Sequence, residues 1–418
     1  MNNNLELISS LQDISKQHKF NIPKYLLKLK NNQCLYLHQM LDHLLLKMKF
    51  LTKESQYYLH IPRVLIGTRD FRARIGNFTD PFGSTTSPLY SAPPLKFIND
   101  SLADLLDKRA IELINNAKST GRKIAVMWSG GIDSTLVLTA ILKNISEADQ
   151  ELLTVYLTIH SISDNQDFYF KFLSTNKKIF IKDASSLRVD DTFLNQTLLL
   201  HGDPGDGIFG PSSSMYKIFS DNQTHLEPWR KHLKTLVQLF EPTFEKDMFV
   251  QPGIGEWFCN IICQTLEESG YADHVSSVTD WIWWTYFNFK WQGICTYALH
   301  NSIIGYQHQG ITKENHKFYA DNIFLATPQF QQWSYSNLKE LIGLNVFKTH
   351  KLKAREYIYE FDKNFQYFSR KRKTSTPPPN LKFSKSTLIG HDENWKPMYL
   401  DSVEHRVVTS ILQKYKTV

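Results

Sequence analysis

The amino-acid sequence predicts an α/β fold. We expect a parallel sheet with helices on both faces, a small α+β N-terminal region before it and a largely helical C-terminal part after it. Short apolar runs alternate with helix-like patterns in the middle of the chain, as at 124–128 and 198–200. Glycines and carboxylates follow both runs, at the edge where parallel sheets bind ligands. With 418 residues, 42% of them hydrophobic, the chain is long enough for two or three globular domains.

The elements follow in order along three predicted regions, 1–98, 99–400 and 401–418. The first, of unknown role, holds a helix pattern in CLYLHQMLDHLLLKMKFL and strand patterns in YYLHIPRVLIGTRDFRARIG. Ser101, after Asn99 and Asp100, caps a helix that stops at Gly121. LLTVYLTIH and KKIFIKD are the next strands of the sheet, with a loop and a helix between them. The last region, 401–418, is a tail or helix.

Composition and cysteine usage indicate a cytoplasmic protein without a membrane partner. The start, MNNNLELISSLQDISKQ, lacks the layout of a signal peptide, and no apolar run is long enough to span a bilayer. The four cysteines are too few and too scattered for a disulfide framework. Cys259 and Cys263 share one helix face, a spacing that favours packing over metal ligation.

The first motif is SGGIDS, residues 129–134, between the strand IAVMW and a helix expected to begin near Ser134. A glycine loop at a helix N-terminus directs amide N–H groups at an anion. Gly130 and Gly131 let the backbone approach a phosphate closely, and Ser129 and Ser134 offer hydroxyl donors. Asp133 would repel phosphate unless it carries Mg²⁺. The alternative is a tight structural turn with a capping side chain.

The loop lacks the Gly-Lys-Ser/Thr of P-loop proteins and resembles the SGGxDS loop of the N-type ATP pyrophosphatases, the PP-loop superfamily. That resemblance implies an adenine nucleotide alpha hydrolase-like fold. It also implies that ATP's pyrophosphate is held in this loop and that its α-phosphate is attacked to form an adenylate. The ATP-binding residues would include all six of the loop: Ser129, Gly130, Gly131, Ile132, Asp133 and Ser134.

The second motif, LLLHGDPGDGIFG, ends at Gly210 and resembles the LSGEGADELFGG segment of asparagine synthetases. The resemblance implies that Asp206 shares Mg²⁺ with Asp133 and that Asp203 acts near the reacting acyl group. Asp203 is shorter than the family's glutamate, and Pro204 and Gly207 also depart from the pattern. DPGDG is otherwise an ordinary turn sequence.

Two further features bear on the nucleotide. In the family the adenine lies beside the strands that precede these motifs, which implies contacts from Met127, His201 and Gly202. For His201 a stacking or packing role is favoured over catalysis. The aromatic stretch DWIWWTYFNFKWQGICTYALH could stack on bases, but at helical spacing it favours core.

A basic segment follows at 348–373, with nine Lys or Arg and three Asp or Glu, a local balance of +6 within a net charge of +7. In asparagine synthetases a corresponding basic helix leads to a lysine that contacts the phosphates of ATP. The run 370–373 supplies Lys373, our first choice, and Lys371. A surface patch, or one that grips nucleic acid, is the alternative interpretation.

These observations together predict an ATP-dependent, Mg²⁺-requiring carbon–nitrogen ligase of asparagine-synthetase type. It would adenylate a small-molecule or peptide carboxylate and pass the acyl group to ammonia or another amine. Glutamine-dependent asparagine synthetases have a catalytic Cys directly after Met; because Asn2 follows Met1 here, the resemblance implies no glutamine hydrolysis. The alternatives are a tRNA-modifying PP-loop enzyme and, given Asp203 and Gly207, an inactive nucleotide-binding scaffold. The sequence leaves open the acid, the amine and the oligomeric state.

Overall fold

The computed structural model describes residues 34–35, 92–187, 189–209, 224–244, 253–291, 313–341, 351–370, 386–391 and 397–401. Its strands are β1 Cys34–Leu35, β2 Lys123–Met127, β3 Leu153–Leu157, β4 Phe180–Asp183, β5 Thr197–Leu200, β6 Ser386–His391 and β7 Pro397–Asp401. Its helices are α1 Leu102–Thr120, α2 Ile132–Asn144, α3 Ile159–Asp164, α4 Gln166–Phe168, α5 Asp191–Gln196, α6 Gly205–Ile208, α7 Leu233–Phe244, α8 Ile254–Glu268, α9 Val278–Thr285, α10 Lys313–Asn322, α11 Pro328–Ser336, α12 Leu338–Leu341, α13 Leu352–Asp362 and α14 Phe365–Arg370.

The main sheet has four strands in the order β4-β3-β2-β5, and every pairing is parallel. The chain therefore runs outward from β2 through β3 to β4 and then returns to the other side of β2 as β5. The strand order reverses between β2 and β5, and ligands of open α/β sheets bind outside the carboxyl ends of strands at such a switch point. The prediction of a parallel α/β sheet is confirmed.

Successive residues of β2 and β5 are buried, although neighbouring side chains of a strand point to opposite faces. Both faces of these two strands are thus covered by protein, as their β-branched and leucine-rich sequences require. Strand β4 differs, because all four of its residues are exposed at the edge of the sheet. Helices α1 and α13 both pack against α2, so three helices lie together beside the switch point.

Several predicted boundaries agree with the structure, and two differ for local reasons. The Ser101 side chain accepts the Asp104 N–H at the start of α1, and Gly121 ends the helix with φ of 65°. Helix α2 begins at Ile132, two residues before the position expected, because Gly131 is its N-cap. Strand β3 stops at Leu157 because Thr158 and Ser161 form a capping box that starts α3.

The elements described after the main sheet, from α7 to α14, are helices, and strands occur again beyond them. Strands β6 and β7 form an antiparallel hairpin, and β1 pairs with β6. These strands add a small antiparallel sheet beside the largely helical C-terminal part. Trp281, Trp283 and Trp284 of α9 are almost fully buried, which confirms the core interpretation for the described part of that aromatic stretch; residues 292–300 lie outside the described residues.

The paired cysteines and the apolar segments of the sequence can also be compared with the structure. Cys259 is buried and Cys263 half-buried on α8, and no cluster of three or more metal-ligating side chains occurs among the described residues. None of the helices in the described ranges has the length and apolar character that a bilayer crossing requires.

Candidate functional site

Both sequence motifs lie side by side at the switch point of the main sheet. Val126 of β2 is in register with Leu200 of β5, so the loops that leave these two strands emerge next to each other. The first loop carries Asp133 at the start of α2, and the second carries Asp203 and Asp206. The expectation that these carboxylates meet at one edge of the sheet is confirmed.

The first loop is held in a tight shape by its own side chains. The Ser134 hydroxyl accepts the Ser129 N–H at 3.1 Å and donates to the Gly131 carbonyl at 3.2 Å. Gly130 has φ of +75°, and a Cβ there would lie 2.4 Å from the Ser161 carbonyl oxygen on α3. Ser134 thus shapes the loop, and Gly130 is required by its backbone conformation and by the close approach of α3.

The loop leaves the N-terminus of α2 without a side-chain cap, because the Gly131 N-cap has no side chain to offer. The first helical bond from a residue i to i−4 is donated by Thr135 to Gly131 at 3.0 Å. The amides of Ile132, Asp133 and Ser134 come before that bond, in the turn that has no intrahelical acceptors. The N-terminus of this 13-residue helix therefore presents N–H donors and the positive end of the helix dipole at the switch point.

The second loop fits closely against Asp133 through two glycines. A Cβ on Gly202 would lie 2.5 Å from the Ser134 nitrogen, and one on Gly205 would lie 2.4 Å from the Asp133 Cγ. A larger residue at Gly202 would require movement of the α2 backbone, and one at Gly205 would require movement of the Asp133 side chain. The DPGDG segment, which has a cis Asp203–Pro204 bond, is therefore a fitted partner of the first loop.

Lys351, the residue before α13, reaches into this site. Its ammonium contacts Asp133 Oδ2 and lies 2.6 Å from Asp206 Oδ1, and the side chain is only 4% exposed. The second oxygen of Asp133, Oδ1, is buried and has no hydrogen-bond partner among the described residues. One ammonium thus bridges two carboxylates and leaves one carboxylate oxygen unsatisfied.

The charges at this site shift each other's pKa. Burial raises the pKa of Asp133 from 3.8 to about 6; Lys351 opposes this shift and the Asp206 carboxylate adds to it. Burial alone would lower the pKa of Lys351, but the two carboxylates outweigh it and raise the pKa above its ordinary value. Lys351 is therefore a permanent cation in a pocket of excess negative charge.

His201 is buried and hydrogen-bonds the backbone of the second loop. Its ring stacks on Tyr319 with centroids 5.7 Å apart, and it is 4% exposed. Nδ1 accepts the Asp203 N–H at 3.2 Å, so Nε2 carries the proton and donates it to the Tyr319 hydroxyl at 2.5 Å. The packing role favoured for His201 agrees with this burial, whereas a contact with ATP stays a prediction. Through the Asp203 N–H, the histidine holds the backbone of the second loop. The Asp203 side chain itself is 44% exposed.

Of the other residues named from the sequence, some lie beside the two loops and the rest lie outside the described residues. Met127 is half-buried at the end of β2 and Ile132 is buried at the start of α2, both beside the first loop. Gly207 is buried on α6, where a Cβ would lie 3.1 Å from ring carbons of Trp291. The side chain missing at 207 thus reflects packing against a tryptophan. Lys371, Lys373 and Gly210 lie outside the described residues.

Sequence reasoning missed two residues of the site. Lys351 lies near the start of the basic segment, whereas the prediction rested on the lysines at its end. The available signal was a lysine at the start of an amphipathic helix in THKLKAREYIYEF. Tyr367 of α14 donates its hydroxyl to the Gly130 carbonyl at 3.2 Å and is buried under the first loop. Nothing local in the sequence indicates that contact.

Asp133 and Asp206 fit a magnesium ion. Mg²⁺ binds proteins through one or two carboxylates and takes its other ligands from water and substrate phosphates. Two carboxylates already held around one cation, with Asp133 Oδ1 left over, supply that number of protein ligands. The arrangement can therefore hold a divalent cation next to an anion on the α2 N-terminus.

Comparison of the chain with protein-family models, with curated proteins and with solved structures found no match.

Proposed function

We propose that the chain is an ATP-dependent ligase, which adenylates a carboxylate, releases pyrophosphate and then forms an amide. The observation that carries the proposal is the meeting of three charged features at one switch point. These are the uncapped N-terminus of α2, the carboxylates of Asp133 and Asp206, and the buried ammonium of Lys351. Each has a counterpart in what a nucleoside triphosphate and its metal require.

The phosphate chain would lie against the first loop. The amides of the α2 N-terminus would donate to pyrophosphate oxygens, and the helix dipole would favour their charge. Asp133 and Asp206 would hold Mg²⁺, which neutralises phosphate oxygens when it is bound. Lys351 would add a fixed positive charge where negative charge develops on the leaving pyrophosphate.

The reaction proceeds in two displacements. An oxygen of the substrate carboxylate attacks the α-phosphorus, and the bond from that phosphorus to the oxygen bridging it to the β-phosphorus breaks. The amine nitrogen then attacks the acyl carbon, the bond from that carbon to the AMP oxygen breaks, and the amine loses a proton. Asp203 lies 44% exposed beside the site on a backbone held by His201, so its carboxylate is the candidate acceptor of that proton.

The proposal is tested by exchange of labelled pyrophosphate into ATP over a panel of small and peptide carboxylic acids. Asp206→Asn should lower the exchange by at least ~100-fold, since it removes one of the two carboxylates that would hold Mg²⁺ at the leaving pyrophosphate. The control is Asp321→Asn, the same change at an exposed surface pair with Lys317. Unchanged exchange in Asp206→Asn would remove Asp206 from the site.

The same assay separates the alternatives. ATP binding without exchange for any acid would favour an inactive scaffold. Exchange that requires tRNA and falls steeply with added salt would favour the tRNA-modifying enzyme, because each phosphate contact releases a counterion. Exchange with an acid alone, followed by AMP formation on addition of an amine, supports the ligase.

A further inference from the structure

Lys351 contacts the same two carboxylates that would hold the metal. Its ammonium lies 2.6 Å from Asp206 Oδ1 and contacts Asp133 Oδ2. These two carboxylates come from the ends of different strands, so the lysine joins the two loops that flank the switch point. A divalent cation shared by Asp133 and Asp206 would join the same loops in the same way.

The backbone at Lys351 is held in an unusual conformation. Lys351 has φ of 51° and ψ of 35°, the left-handed region, where a residue with a Cβ rests at a cost. Such a conformation persists when surrounding contacts hold it. Here the holding contacts include those with the carboxylates, so a cation that took over the carboxylates would also release the backbone.

The charges of the site favour replacement of the Lys351 ammonium by a divalent cation when phosphate is also present. One ammonium does not neutralise two carboxylates, and it leaves Asp133 Oδ1 without a partner among the described residues. A divalent cation would neutralise both, but Mg²⁺ gives up its water reluctantly. The displaced ammonium would also need a new anion, which pyrophosphate oxygens at the α2 N-terminus would provide.

We propose that Lys351 and the divalent cation compete for Asp133 and Asp206, so that the metal binds well only together with nucleotide phosphates that accept the lysine. This inference rests on the proposed function for the identity of the nucleotide. The competition itself concerns only the three side chains. Lys351 is then a specificity-determining residue that prevents the site from binding metal alone.

The test uses Mn²⁺ as the probe, measured by electron paramagnetic resonance on the full chain without nucleotide. Lys351→Met should lower the apparent Kd for Mn²⁺ by at least ~10-fold, because it removes the competing charge-assisted contacts. Lys353→Met is the matched control: the same substitution two residues along, at an exposed lysine that lies 3.4 Å from Glu356. It should leave Mn²⁺ binding unchanged.

The double variant Lys351→Met/Asp206→Asn separates cation exchange from simple damage. In the single variant Mn²⁺ should raise the melting temperature well above its effect on the unaltered chain, because it replaces the missing cation. In the double variant the gain in Mn²⁺ affinity should disappear. Equal Mn²⁺ affinity in Lys351→Met and the unaltered chain would overturn the proposal. So would a Lys351→Met chain that does not fold even in Mn²⁺.

The outcomes also separate this inference from the ligase. Tight Mn²⁺ binding by Lys351→Met, with no pyrophosphate exchange in the unaltered chain for any acid, would retain the competition and count against adenylation. Pyrophosphate exchange in the unaltered chain, with no gain in Mn²⁺ binding by Lys351→Met, would support adenylation and overturn the competition.

Discussion

Helix α13 is attached to α2 at two points by similar side chains, and the two points differ in how well each carboxylate is satisfied. At the N-terminus of α2, one buried ammonium serves two half-buried carboxylates, and Asp133 Oδ1 has no partner among the described residues. Near the C-terminus of α2, Asp107 of α1 accepts from Tyr357 at 2.5 Å, Lys143 at 2.6 Å and Asn144 at 2.9 Å.

The difference teaches how a functional contact can be told from a structural one. The carboxylate of Asp107 already accepts three hydrogen bonds, so loss of any one donor would only weaken the contact. The Asp133 side chain is about as exposed as that of Asp107, but its Oδ1 is buried and has no donor among the described residues, which costs stability unless another ligand fills the place. We therefore interpret the Asp107 cluster as structural and the Lys351 cluster as functional, and three variants test that interpretation.

The largest effect is expected from Gly205→Ala. The new Cβ would lie 2.4 Å from Asp133 Cγ, whereas in Gly207→Ala on the same short helix it would meet Trp291 ring carbons at 3.1 Å. Gly205→Ala should lower the free energy of unfolding by about 2 kcal/mol, as overpacking does, and should abolish pyrophosphate exchange. Chemical denaturation and the exchange assay measure both. A smaller effect than that of Gly207→Ala would contradict the fitted contact.

An intermediate effect is expected from Tyr357→Phe, which removes one donor from Asp107. The lost bond to a carboxylate should lower the free energy of unfolding by about 1.5 kcal/mol and should leave pyrophosphate exchange intact. Tyr359→Phe is the control on the same helix, since Tyr359 packs through its ring on Phe365 and Phe368. Loss of exchange in Tyr357→Phe would show that the second cluster also serves the site.

The smallest effect is expected from Lys143→Met, and it should depend on pH. Lys143 is 44% exposed, so its pair with Asp107 should contribute only about 0.5 kcal/mol. Burial would raise the pKa of Asp107, but Lys143, Tyr357 and Asn144 outweigh it and hold the pKa below 3.8.

The sign of that pH dependence follows from the lowered pKa of Asp107. The stabilisation is fully present above 3.8 and is lost as the pH falls through the lower, folded-state value. The unfolding free energies of Lys143→Met and the unaltered chain should thus differ at neutral pH and converge once the pH is below the folded-state pKa of Asp107, which is lower than 3.8. A difference that persists in acid would assign the effect to the methylene groups of Lys143.

Much of the fold and half of the site follow from local sequence. Strand, glycine loop and helix were predictable at SGGIDS because the signals are consecutive, and the DPGDG loop was predictable because it ends the adjacent strand. Parallel pairing then brings Asp133 and Asp206 together without further information. The left-handed Lys351 was not predictable, because its position depends on how α13 packs on α2 and α1. The His201–Tyr319 bond joins residues 118 positions apart and left no local signal.

The separation of Asp133 and Lys351 along the chain has a consequence for biosynthesis. The two residues are 218 positions apart, whereas the four strands of the main sheet all lie within 123–200. At ribosomal rates of ~5–20 residues per second, Lys351 is synthesised roughly 10 to 45 seconds after Asp133. The sheet and its carboxylates can therefore emerge before their ammonium exists. During that interval a nascent chain must keep these acids hydrated, protonated or bound to a cation from the surrounding solution.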